Sequence, residues 1–243
     1  MRSMTGMQKV LMGLVLALGC GAVQAAPINL RVDVHVDGAW SWGANQPAIE
    51  MANGNYTVAD GSYINEQSGY SLSWSDVEFH TDPFISLNQT LTNNTGLTQS
   101  FLVSTSLPIA PPILPSSLMG GSAGYTLTDD NFSGSALLST TALGTSLYTG
   151  VIDGVDVLPL FPHLSTLAVG TAGGTNSMTA NVGLPIPSIP GPAALATIGI
   201  KHSFTLTPGD SVSFTSFFIV EVPEPGTLGL LLAGGALLLR RKR

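Results

Sequence analysis

The sequence predicts an all-β protein: an antiparallel β-sandwich, jelly-roll-like, between an N-terminal signal peptide and a C-terminal single transmembrane helix. Three observations predict the sandwich. Helical periodicity is nearly absent from residues 26–221, period-two alternation recurs there, and Gly, Pro, Asn and Asp clusters punctuate it at short intervals. About ten short, turn-separated strands fit two packed antiparallel sheets.

The elements follow in order. Leu30, Val32, Val34 and Val36 alternate with Arg31, Asp33, His35 and Asp37, and Asp37-Gly38 then offers a turn. Residues 43–69, dense in Asn, Gly and Tyr, read as a long loop or a small hairpin. Tyr70, Leu72 and Trp74 alternate with serines. Residues 85–92 and 98–107 flank the turn cluster Asn93-Asn94-Thr95-Gly96 and predict a hairpin. Residues 108–124 are rich in Pro, Gly and Ser and read as a loop. Further strands are expected at 123–129, 134–142, 147–152 and 164–170, and the prolines of 181–192 predict an irregular connection. Residues 193–206 and 211–220 flank the turn Thr207-Pro208-Gly209-Asp210. The expected core is Val32, Val34, Leu72, Trp74, Phe101, Val103, Phe204, Leu206, Phe214 and Phe218.

The two ends read differently from the body. Arg2 and Lys9 precede the apolar run Val10 to Leu18, and Val23-Gln24-Ala25 is a small-residue cleavage site before Ala26. Residues 1–25 are therefore a secretory signal peptide. At the other end, Pro223-Glu224-Pro225 leads into the apolar run Thr227 to Leu239 and then Arg240-Arg241-Lys242-Arg243. Each proline fixes its own φ and pushes the residue before it out of the α region, so 222–225 is extended and stiff. The 13 residues from Thr227 to Leu239 would span about 20 Å as a helix, against a hydrocarbon core of about 30 Å. Snorkelling of the flanking cations completes this short anchor and holds the basic cluster in the cytoplasm. Gly229 and Ala233 put small residues on one helix face, which allows close approach by another helix.

This order of parts resembles the PEP-CTERM sorting signal of exported proteins of Gram-negative bacteria. The matching parts are Pro223-Glu224-Pro225, the helix 226–239 and the basic stop Arg240 to Arg243, together about a tenth of the chain. The resemblance implies recognition by an exosortase, a membrane cysteine protease or transpeptidase, with cleavage near the motif, in a bacterium that makes exopolysaccharide. Asp82-Pro83-Phe84, Asn93-Asn94-Thr95, Phe101 and Leu107-Pro108-Ile109 also resemble a segment of such proteins, which adds to the β reading and carries no activity. The implied organisation is signal peptide 1–25, sandwich 26–221 and sorting signal 222–243.

Charge bounds the partners. Of the eight Lys and Arg residues, six lie in the two ends, which leaves Arg31 and Lys201 in a strongly acidic body. Nucleic-acid binding and electrostatic docking to anionic lipid both need cations the body lacks. Cys20 is the only cysteine, so no disulfide forms within one chain. Ala17-Leu18-Gly19 before it fits a lipoprotein cleavage site poorly, and Cys20 is expected to leave with the signal peptide.

Candidate chemistry is sparse. Gly120-Gly121-Ser122-Ala123-Gly124 matches G-x-S-x-G, with Asp153 and His163 or His202 following, but a nucleophile elbow needs a strand before it and a helix after it. Asp76, Glu78 and His80 alternate and would share one side of a strand, a possible cation site or a solvated face. Asp129-Asp130-Asn131 and Asp153-x-x-Asp156 are acidic turns without the loop of an EF-hand. No metal or other cofactor is expected. Trp40 and Trp42 alternate, so they would share a sheet face and offer sugar-stacking surfaces, or else pack at the edge of the first sheet. The scattered Ser and Thr residues form no regular ice-matching ladder.

The expected function is that of a non-enzymatic exported envelope or matrix protein. An exosortase would sort it, the inner membrane would hold it transiently, and exopolysaccharide is its expected partner. A secreted carbohydrate-binding module using Trp40 and Trp42 is the alternative, and a secreted serine hydrolase the weaker one.

Overall fold

The computed structural model describes residues 28–80, 83–142 and 145–222. The cleavage site Ala25/Ala26, Cys20, Asp82 and the tail from Pro223 to Arg243 lie outside them. Among the described residues there are 17 strands and no helix long and apolar enough to cross a membrane.

Two antiparallel sheets face each other, as the alternation predicts. Sheet A runs in the order β12 (Val155–Pro162), β11 (Ser146–Ile152), β16 (Thr197–Leu206), β8 (Gln99–Pro108), β1 (Asn29–Val36) and β2 (Ala39–Pro47). The short β10 (Ala136–Ser139) pairs with β16 and with β13 (Thr166–Val169). Sheet B runs β14 (Thr175–Val182), β9 (Ile113–Thr128), β17 (Ser211–Glu221), β7 (Phe84–Asn93), β6 (Tyr70–His80), β4 (Tyr56–Thr57) and β3 (Ile49–Glu50). β15 (Ile189–Ala194) adds to β9, and β5 (Gly61–Asn65) adds to β6.

The core is where the alternation puts it. Val32, Val34, Leu72, Phe101, Val103, Phe204, Leu206, Phe214 and Phe218 are all buried, and Trp74 packs half-buried against them. Phe101 meets Phe204 at 5.9 Å between ring centres, and Phe204 meets Phe214 at 6.0 Å, which ties sheet A to sheet B. Burying each such ring contributes about 2–3 kcal/mol.

Three expectations about connections are corrected. Strands 85–92 and 98–107 form no hairpin: β7 belongs to sheet B and β8 to sheet A. The chain crosses between the sheets at 94–98 because the Asn93 side chain, fully buried, donates to the carbonyls of Leu97, Leu206 and Thr207. The turn at 207–210 is a second such crossing, and 129–135 is a third at the same end. The segment 108–124 is mostly strand, since β9 begins at Ile113. Its glycines mark close approaches: a Cβ on Gly121 would sit 2.8 Å from the Tyr148 hydroxyl oxygen, and one on Gly120 2.3 Å from the Gly183 carbonyl oxygen. Likewise β12 holds Pro159 and Pro162; it pairs with β11 alone along the path of sheet A, and an edge strand tolerates proline. The proline-rich stretch after residue 188 contributes β15, again an edge.

Candidate functional site

The structure does not bring the hydrolase candidates together. Ser122 lies mid-strand in β9, with no turn or helix after it. Its neighbours Ala123 and Tyr125 are inward and buried, so Ser122 and His202 lie on opposite sides of sheet B's backbone. The Asp153 carboxylate caps another turn, accepting the backbone N–H groups of Leu195, Ala196 and Thr197 at 2.7–2.8 Å. Burial alone would raise that carboxyl, and the three donors hold it below the usual range. His163 contacts Thr140 through Nδ1 at 3.3 Å.

A serine, a histidine and a tyrosine do meet, inside the core. Ser216 Oγ lies 2.8 Å from His202 Nε2, and the Tyr125 hydroxyl 2.7 Å from His202 Nδ1. The same tyrosine hydroxyl donates to the Leu147 carbonyl at 2.7 Å, and Tyr148 donates to the Phe217 carbonyl at 2.8 Å. Burial pushes the His202 imidazole down to about 3, so it is neutral, and pushes both tyrosines up. Ser216, His202 and Tyr125 are each about 1 % exposed, so the node is a polar pin between the sheets with no route for substrate. Ser216 shares the inward side of β17 with Phe214 and Phe218, but nothing in the sequence signals its partner.

The acidic candidates also serve the fold. Asp76, Glu78 and His80 alternate with buried Val77 and Phe79 and share the outer side of β6, where Asp76 has φ of 49° at a bulge between Ser75 and Glu78. Glu78 accepts from the Asn55 amide and Asp76 from the Asn88 amide. Asp129 is fully buried and accepts from Gly134 N–H, Gly173 N–H, Ser133 N–H and Ser133 Oγ–H at 2.8–3.2 Å. These donors outweigh burial and hold Asp129 below the usual range. Asp210 beside it is held up by burial and by the Asp129 charge, against the Thr207 hydroxyl that donates to it. Asp156 pairs with Lys201 at 2.7 Å. Among the described residues no group of three or more His, Cys, Asp or Glu side chains is arranged to hold a metal ion.

Trp40 and Trp42 do not share a face, which corrects that expectation. The register shifts between Val34 and His35, so Trp42 lies opposite inward Val34 and Trp40 opposite outward His35. Trp42 stacks on Tyr63 at 4.5 Å and lies 6.1 Å from Trp74, closing the open edge of the sandwich. Trp40 is 61 % exposed.

The most ordered surface is one the sequence does not display. On the outer side of sheet B, paired residues across five strands form rows. One row is Ser71, Thr92, Ser211, Thr128 and Thr175; the next is Ser73, Thr90, Ser213, Thr126 and Ser177; the third is Ser75, Asn88, Thr215, Gly124 and Thr179. Rows recur about every 7 Å along the strands, and neighbours within a row lie about 4.8 Å apart. These three rows carry no charged side chain. Some hydroxyls satisfy each other, as Thr90 and Ser213 do at 2.8 Å. A shallow trough of about 420 Å³ lies over the rows, lined by Ser122, Gly124, Thr126, Ser177, Thr179 and Thr215. Single strands show the alternation in sequence, as Ser71, Ser73 and Ser75 do, but the rows depend on register between distant strands, which leaves no local pattern.

No protein-family model matches the sequence, and no curated protein matches it. Among solved structures, the K1 cleaved adhesin domain of Lys-gingipain from Porphyromonas gingivalis W83 is similar over 68% of this chain and 90% of its own, at 11% identity and a TM-score of 0.27. TmCBM61 in complex with β-1,4-galactotriose is similar over 64% of this chain and 90% of its own, at 11% identity and a TM-score of 0.24. Both likenesses are too distant to bear on what this chain binds.

Proposed function

We propose that this chain is a non-enzymatic exported protein of the cell envelope or extracellular matrix. Its sandwich adheres to a neutral exopolysaccharide through the outer face of sheet B. The observation that carries the reading is the uncharged hydroxyl and amide rows of β6, β7, β17, β9 and β14. Each hydroxyl can donate and accept, and each hydrogen bond to a sugar nets only about 0.5–1.5 kcal/mol. Repetition supplies what a single contact lacks, because a repeating glycan meets many such groups at once. The face gives no basis for binding polyanions or metal ions.

Delivery rests on the tail. Glu221 ends β17 and Val222 is 49 % exposed, one residue before Pro223. Pro223, Glu224 and Pro225 would be read by an exosortase while the helix 226–239 and Arg240 to Arg243 hold the chain in the inner membrane. The mature protein would then reside on the outer surface or in the matrix. Changing Pro223-Glu224-Pro225 to alanines should leave full-length protein in the inner membrane. Mass spectrometry of the mature C-terminus checks this, and an intact Arg243 defeats it.

For the sandwich, the triple variant Thr90→Val, Thr126→Val, Thr215→Val should bind the producing strain's exopolysaccharide at least tenfold more weakly in a sedimentation assay. Retained binding in that variant ends the reading. A second reading is favoured by one observation, the exposed Trp40 ring: sugar stacking at the sheet edge. Loss of binding in Trp40→Ala, with the triple variant unaffected, would select it.

A further inference from the structure

The two described ends of the chain leave the sandwich at the same end. β1 begins at Asn29 beside the end of β8 at Pro108, while β17 ends at Glu221 beside the start of β9. The connection 109–112 joins β8 to β9 there, so Ile28 and Val222 both emerge at the end opposite the crossings at 94–98, 129–135 and 207–210. Between Val222 and the apolar run at Thr227 lie four residues. At full extension that tether reaches only about 18 Å.

This end presents apolar loops. Ala110, Pro111 and Pro112 are exposed, Leu114 is 58 % exposed and Leu195 is 56 % exposed. His80, Pro83, Ile113 and Val222 join the prolines around an apolar hollow of about 360 Å³. Of the carboxylates at this end, Asp153 is occupied by three backbone N–H groups, Asp156 is paired with Lys201, and Glu221 stands at the last position of β17.

We propose that in the tail-bearing protein this end of the sandwich rests on the bilayer surface, with the 110–114 loop and Leu195 among the lipid headgroups. The partner is the lipid interface itself, held by apolar contact with no cationic attraction. The consequence is orientation: Pro223-Glu224-Pro225 stays at the membrane surface, and the crossings point away from it. This rests on the reading of 227–239 as a membrane segment.

The test uses the tail-bearing chain without its signal peptide, residues 26–243, which contains no cysteine, reconstituted in zwitterionic phosphatidylcholine vesicles. A single environment-sensitive fluorophore is attached at Leu114→Cys or, at the far end, at Leu97→Cys, where the native side chain is 74 % exposed. Brominated lipid should quench the label at 114 severalfold more than the label at 97, equally at low and high salt. Alkaline extraction of the same vesicles reports separately whether the tail is embedded. An embedded chain with no quenching at 114, or with equal quenching at both sites, overturns the proposal and leaves the membrane reading standing. Quenching at 114 that salt abolishes also overturns it, since it would mean an electrostatic contact. A chain released by alkali overturns both.

Discussion

The same residue types behave oppositely on the two sides of β17. Ser213 and Thr215 point outward into the rows of sheet B, whereas Ser216 points inward to His202. Inside, the imidazole and two hydroxyls are closed on one another, and removing one leaves the rest unpaired in a low-dielectric core. Outside, the hydroxyls face solvent, where even a pair such as Thr90 and Ser213 can exchange its partner for water or another group at little cost to the fold. On β17, polar residues are thus structural where they face the other sheet and solvent-facing where they point away.

The comparison breaks most sharply with acid. His202 titrates near 3 in the folded protein and near 6.5 when unfolded, so between those values the unfolded chain binds more protons. Stability should therefore fall as pH drops from 6.5 towards 3, by about 1.4 kcal/mol per unit and about 5 kcal/mol in all. Asp129 and Asp153, held low, add to the loss as pH falls through their folded values, while Asp210, held high, opposes it between about pH 4 and its own raised value. Urea denaturation across this range, with His202→Gln as the flattened control, checks the sign.

Next in size is the core itself. Phe214→Ala should cost about 3–5 kcal/mol, because Phe214 contacts His202 at 4.2 Å and Phe204 at 6.0 Å. Asn93→Ala should cost about 2–3 kcal/mol by stripping donors from the buried Leu206 carbonyl and its neighbours. At the small end, the outward triple Thr90→Val, Thr126→Val, Thr215→Val should stay within about 1 kcal/mol of the parent. Urea midpoints rank all three, and a large loss in the outward triple would erase the distinction between the faces.

How much of this was legible in sequence follows from what is local. Alternation in 30–36 and 211–220 identified inward side chains directly, because side-chain direction is a property of one strand. Strand partners are not local, so 85–92 and 98–107 read as a hairpin although they lie in different sheets. The crossing there depends on Asn93 reaching carbonyls 113 and 114 residues away. The bulge that turns Trp40 from Trp42 left no sequence signal, and the Gly and Pro of β9 masked a 16-residue strand. The hydroxyl rows combine five strands drawn from residues 71 to 215, so only the register reveals them.

The most direct test of the polysaccharide claim is fractionation of the native strain with and without its polysaccharide locus. The account predicts that the mature protein sediments with surface polysaccharide when the locus is present and passes into the medium when it is absent, with the outward triple variant in the medium in both strains. An unchanged distribution in the strain lacking the polysaccharide would contradict it.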